Sequence, residues 1–249
     1  MSIFENYSKY YDLLYKDKDY KNEAKYITQL LKKYKPSAKT ILELGCGTGK
    51  HAKMFEENGF RVLGIDISET MIHKAMTLAN ENLSFNLGDA KTYRIDTEFD
   101  SVLSLFHVAS YQKTDDDLLN FFKTARDHLA KGGIFIFDSW YGPGVTTIKP
   151  KKRIKVIEDE NITIKRCAFP IIYPHINTVD VNYTIDIIDK LSGSEETISE
   201  THSMRYLFPQ EIKEMLSQCA FELLHSEEWD TANVPGNNSW SVCFIARAL

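Results

Sequence analysis

The chain has 249 residues, 43% of them hydrophobic, which suffices for one full core with room for an elaboration. Its net charge is −5 and its lysines and arginines are scattered, which argues against a nucleic-acid partner, because such a reader needs a basic face to neutralise phosphates. Four widely spaced cysteines with no C-x-x-C argue against a zinc site and for a reduced, cytoplasmic setting; no signal-peptide layout opens the chain, and no apolar run reaches the length of a membrane span.

Residues 1–18 are rich in tyrosine, with Tyr7, Tyr10, Tyr11 and Tyr15. Apolar residues at helical spacing (Ala24, Ile27, Leu30, Leu31, Tyr34) predict a helix over 21–34 that ends before Pro36. Strands and helices then alternate: strand 40–44, helix 50–57, strand 61–65, helix 69–79, strands 83–87 and 100–105, helix 115–130, strand 133–137. That alternation predicts an α/β fold, a doubly wound, mostly parallel seven-stranded sheet. After Pro143 the pattern becomes polar–apolar alternation rich in β-branched residues, as in Val179, Val181, Tyr183, Ile185 and Ile187, with a hairpin turn at Ser192-Gly193. It predicts an antiparallel sheet inserted over 146–206, between core segments 1–145 and 207–249, that serves as a substrate lid or as the contact of a homodimer. Pro209 opens a last helix to Gln218, and 221–229 with 240–246 read as the closing strands. The basic run Lys149–Lys155 reads as a solvated loop or strand edge.

The informative stretch is Thr40–Gly49. Ile41, Leu42 and Leu44 form a short buried strand that runs into Gly45, Gly47 and Gly49 and then a helix. Such a turn lets backbone approach a ligand and aims helix-start N–H groups at it. Asp66, at the tip of the second strand, is placed to accept hydrogen bonds from both ribose hydroxyls, so an adenosine-type cofactor is expected. The dinucleotide fingerprint G-x-G-x-x-G would need a glycine where Lys50 stands, and Glu43 beside the loop would repel a pyrophosphate but suit an ammonium group.

The run Glu43–Gly49 resembles the first motif of the class I S-adenosylmethionine-dependent methyltransferases. Four further segments follow in that family's order: Gly64–Ala75, Asn86–Ala90, Phe99–His107 and Leu129–Phe137. The resemblance implies S-adenosylmethionine as cofactor, S-adenosylhomocysteine as product, no metal, and a donor site built from Glu43, Gly45, Cys46, Gly47, Gly49, Asp66, Ile67, Met71, Asp89, Ala90, Leu105 and Phe106. The opening Tyr11–Tyr20 and the pair Trp140-Tyr141 further resemble the bacterial N-methyltransferases of nucleotide-linked amino sugars. From that likeness Tyr15 and Tyr20 would close over the cofactor, and Tyr11, Trp140, Tyr141 and Trp240 would meet a small-molecule acceptor such as a nucleotide-linked sugar. Two positions depart from the family: Tyr111 stands where it has a histidine, and Trp240 about where it has an arginine.

His107, just past the fourth strand, is the best general base by residue type, with Tyr111 in the same loop and Tyr15 as further catalytic candidates. His202 either faces the site or lies on the surface. O-methylation of a sugar or other metabolite, a nicotinamide-dependent oxidoreductase and a non-catalytic cofactor-binding module stand as the other readings.

Overall fold

The computed structural model describes residues 8–249, so Tyr7 lies outside the described residues. A short helix, α1 (Ser8–Leu14), comes first. The longer α2 (Tyr20–Tyr34) is started by the Asp19 carboxylate, which accepts from the Asn22 N–H at 2.9 Å. Then follow β1 (Thr40–Leu44), α3 (Lys50–Glu57), β2 (Arg61–Asp66), α4 (Glu69–Ala75), β3 (Leu83–Leu87), β4 (Phe99–Ser104), α5 (Asp115–Asp127) and β5 (Leu129–Tyr141). Two boundaries differ from the sequence reading. α4 gives way to a 3-10 turn over Met76–Leu78, because Asn80 pairs with Leu83 and swings the chain into β3. β5 starts at Leu129, which pairs with Phe99, so α5 stops short of residue 130.

Beyond α6 (Gly142–Ile148), four strands form an antiparallel meander: β6 (Arg153–Glu158), β7 (Ile162–Tyr173), β8 (Thr178–Asp189) and β9 (Glu195–Leu207). The chain returns to the core through α7 (Pro209–Gln218), β10 (Phe221–Glu228) and β11 (Ser241–Ala248). The core sheet runs β3-β2-β1-β4-β5 in parallel, continued beyond β5 by β11, antiparallel to it, and then β10.

Alternating strand residues supply both faces of this sheet. Ile41, Val62, Leu103, Ile136 and Ile245 pack with α2, α3 and α4. Leu42, Leu44, Val102, Phe137 and Phe244 pack with α5 and α7. What positions the site is the end of β4. Its last pair is Ser104 with Phe137, while β5 runs on to Tyr141. β9 takes the edge thus freed, lying parallel to β5 with Trp140 opposite Tyr206 and Tyr141 opposite Leu207. The inserted sheet is therefore hydrogen-bonded to the core at the carboxyl ends of the parallel strands. Ile164, Ile185, Ile187 and Ile198 on its inner face bury Tyr10 and Leu14 of α1. The basic run is a solvated edge, with Lys149, Lys151, Lys152 and Arg153 exposed and Lys155 donating to the Leu14 carbonyl at 2.8 Å. No described helix is long and apolar enough to cross a membrane.

Candidate active site

The glycine turn after β1 is held by the neighbouring strand. The N–H groups of Gly45 and Cys46 both donate to the Ile65 carbonyl at 2.8 Å, and the Gly47 N–H donates to Asp66 Oδ2 at 2.9 Å. Gly45 and Gly49 have φ of +76° and +78°, and a Cβ on either would come within 2.5 Å of Val108 Cγ2 or 2.6 Å of Phe85 Cζ. Both features exclude a side chain and leave a bare backbone cradle. Asp66 Oδ1 accepts from the Ser68 N–H at 2.8 Å, and Ser68 rather than Asp66 caps α4. Burial raises the Asp66 pKa, opposed by the hydrogen bonds from Ser68 and Gly47.

This cradle opens into a cavity of about 540 Å³. Gly45, Cys46, Gly47, Asp66, Ile67 and Met71 line one end, with Asp89, Ala90, Leu105 and Phe106 beside them. Ile67 is 60% exposed, an apolar face of the kind a purine ring covers. A bare backbone turn, a carboxylate and apolar residues fit an adenosine with an amino-acid tail. S-adenosylmethionine therefore fits the residues present.

Two donor-site expectations are corrected. Gly49 lies outside the cavity, against Phe85, and serves as the N-cap of α3. Glu43 does not reach the cavity either. It shares a strand face with Ile41, the face turned to α3, and is 1% exposed with Oε1 4.0 Å from His51 Nδ1. Burial, helped by the Asp66 charge, pushes its pKa up to about 8, which disfavours its charged form. A carboxyl whose pKa is raised by folding lowers stability as pH rises from the ordinary carboxylate range through about 8. In urea unfolding, Glu43→Gln is expected to gain stability relative to the parent between pH 5 and 9, as measured at both ends; a constant difference would rule out this titration.

The other end of the cavity is built by the β4 loop, the tip of β5, α1 and the inserted sheet. Phe106 and His107 both adopt left-handed backbone, φ +66° and +68°, a conformation rare enough outside glycine to point to function. Asp138, 1% exposed, holds His107 in place: its Oδ1 accepts from the His107 N–H at 3.0 Å and its Oδ2 lies 2.6 Å from Nδ1. Trp140 stands edge-on to His107 with ring centres 6.3 Å apart. Tyr111 in the β4 loop meets His202 Nδ1 at 2.7 Å. From α1, Tyr15 packs edge-on to Phe106 at 5.2 Å and accepts a hydrogen bond from Arg166 at 3.2 Å, with Tyr11 4.7 Å from it. Asp12 ties α1 to the glycine turn through Thr48 and Lys50, each at 3.0 Å. Tyr20 completes this wall beside His51.

His107, Tyr15, Tyr111, Tyr11, Tyr20, Trp140 and His202 thus converge on one space; His202, 4% exposed, is not a surface histidine. Tyr141 and Trp240 do not converge on it. Tyr141 points to the opposite strand face, into the core, and Trp240 supports Trp140 from behind at 5.4 Å. Sequence reasoning missed Val181, Tyr183, Met204 and His51, which also line the cavity. The first three could have been found from the period-two alternation of β8 and β9, which gives each strand a single inner face.

Residues 41–133 match the family described as a methyltransferase domain. Over 178 residues, 70% of this chain and 74% of the relative, the sequence is 28% identical to a dTDP-3-amino-3,4,6-trideoxy-alpha-D-glucopyranose N,N-dimethyltransferase of Streptomyces venezuelae. It is 30% identical over 135 residues to a dTDP-4-amino-2,3,4,6-tetradeoxy-D-glucose N,N-dimethyltransferase of Saccharopolyspora spinosa, covering 53% of this chain and 54% of that one. The fold matches the crystal structure of an S-adenosylmethionine-dependent methyltransferase from Clostridium acetobutylicum with a TM-score of 0.82 at 18% identity, covering 99% of each chain.

Proposed function

We propose that this S-adenosylmethionine-dependent methyltransferase places its methyl group on the amino nitrogen of a nucleotide-linked sugar. The observation that carries the proposal is one continuous cavity with a donor cradle at one end and His107, Tyr111, Trp140 and His202 at the other. Two relatives named for N,N-dimethylation of dTDP-linked amino sugars support the choice of acceptor. A dinucleotide is disfavoured by Lys50, which stands where the third glycine would be and pairs with Asp12 at 3.0 Å.

The bound donor supplies a methyl group that is already electrophilic on its sulfonium. The protein's share is to hold both reactants in line and keep water out, and alignment of this kind is worth roughly 7–11 kcal/mol. Asp66 takes the ribose diol, and Ile67, Met71 and Ala90 cover the base. Tyr11 and Tyr15 close the space from α1, and the inserted sheet forms the acceptor wall. His107, fixed by Asp138, turns its remaining ring nitrogen to the acceptor and orients it. Donor and nucleotide-linked sugar are both metabolites of the cytoplasm, which supports a cytoplasmic setting for the reaction.

The test is methyl transfer from labelled S-adenosylmethionine to a panel of nucleotide-linked amino sugars and their hydroxyl counterparts. Label on the amines, detected by mass spectrometry, is the expected result. Label only on hydroxyls would reassign the enzyme to O-methylation. No transfer to any, from protein that S-adenosylhomocysteine stabilises against heat, would reject the sugar acceptor.

A further inference from the structure

We propose that Tyr111, His202 and Glu200 form a proton path leading from the acceptor nitrogen out of the active site. The inference rests on the amine acceptor argued above. It is assembled from two parts of the chain: Tyr111 belongs to the β4 loop of the core, while Glu200 and His202 are alternate residues of β9 and so share one face of the inserted sheet. Tyr111 Oη lies 2.7 Å from His202 Nδ1, and His202 Nε2 lies 3.2 Å from Glu200 Oε2. The Tyr183 ring stands nearly perpendicular to the His202 imidazole, with ring centres 5.0 Å apart, and packs against it.

The chemistry of the partners sets the direction of the path. An ionised carboxylate only accepts, so Glu200 takes the Nε2–H of His202. Nδ1 is then bare and accepts the Tyr111 O–H. A phenol oxygen that donates its proton still has lone pairs, and Tyr111 lines the cavity. Burial, reinforced by Tyr15, Tyr183, Glu200 and Asp66, keeps the Tyr111 phenol well above its ordinary pKa, so a standing phenolate does not form. Tyr111 can take a proton only as it gives one up.

An acceptor amine arrives as an ammonium and must shed a proton before its lone pair can react. An N–H bond breaks and its electron pair stays on nitrogen. The proton joins Tyr111 Oη as the phenol's own proton moves to His202 Nδ1. The imidazolium so formed is held by Glu200 and returns its proton to water when the product leaves. His107 is built differently, with Nδ1 and backbone N–H both turned to the buried Asp138.

One readout needs no turnover. In the S-adenosylhomocysteine complex of the full-length protein, 15N NMR is expected to show His202 protonated on Nε2 and not on Nδ1, with the Nδ1 signal moving in Tyr111→Phe. The opposite tautomer would overturn the proposal. In turnover, Tyr111→Phe is expected to lower kcat about a hundredfold, the lower range for general acid–base catalysis, with both KM values within about threefold. The Tyr111→Phe/His202→Asn double variant should be no slower than the slower single one, since members of one path fail as a unit. A kcat within about twofold of the parent in Tyr111→Phe, with His107→Gln carrying the whole loss, would overturn the path and leave methyl transfer standing. A parent enzyme inactive on every nucleotide-linked amino sugar would defeat the acceptor reading instead, and the tautomer would still decide the path.

Discussion

Asp66→Ala is expected to weaken S-adenosylhomocysteine binding by about 3 kcal/mol, more than a hundredfold by calorimetry. A hydrogen bond to a charged group contributes about 1.5–3 kcal/mol, and on the proposed reading this carboxylate accepts from two ribose hydroxyls. It also does a second job. By accepting from the Gly47 N–H at 2.9 Å it holds the glycine turn in its open shape, and by accepting from the Ser68 N–H it sets the entry to α4. The substitution removes the ligand's partner and loosens the cradle together. Folding is not expected to suffer much, because burial already works against this charge. A variant that stays folded and binds with unchanged affinity would show that the sugar of the donor lies elsewhere.

Gly45→Ala should lose about 3 kcal/mol of stability, near 10 °C in melting temperature for a chain of this size, together with donor binding. Roughly 1 kcal/mol comes from forcing an L side chain into φ +76°, and the rest from a Cβ that would sit 2.5 Å from Val108 Cγ2 and 2.9 Å from Val108 Cγ1. Val108 follows His107 directly, so the glycine is what allows the donor turn and the acceptor loop to pack against each other. Adding Val108→Ala should recover the overpacking but not the backbone strain, about two thirds of the loss. Full recovery would mean that conformation at residue 45 does not matter; none would mean that the contact does not.

The glycine turn and the acid beside it were legible because their signals are local. A buried strand, three glycines and an acid on the next strand fall within 27 residues, 40–66, and each acts through the backbone beside it. The misplacements share a physical cause. On a strand, adjacent residues face opposite ways, so Trp140 and Tyr141 cannot both meet a ligand, and which one does depends on β9, a strand more than sixty residues later in the chain. Glu43 was given the right neighbourhood but the wrong face, since nothing in its flanking sequence says that α3 covers it. α1 went unnoticed for a related reason: Tyr10 and Leu14 are buried by isoleucines between 157 and 198, so its stabilising partners are remote from it in sequence. His202 needed the same long-range knowledge, because only the pairing of β9 with β5 brings it beneath Tyr111.

That dependence on β9 has a consequence for how the molecule can change. Opposite β8, Val181 faces His202 and Tyr183 faces Glu200, an arrangement set by counting back from the tight turn near Gly193. Because side chains on a strand change sides at every step, gaining or losing one residue between that turn and Glu200 would swing the histidine and the glutamate out to solvent while leaving the methyl-donor cradle intact. Drift in the length of this hairpin would therefore leave a protein that still takes up its donor yet has lost the proposed route for the acceptor's proton.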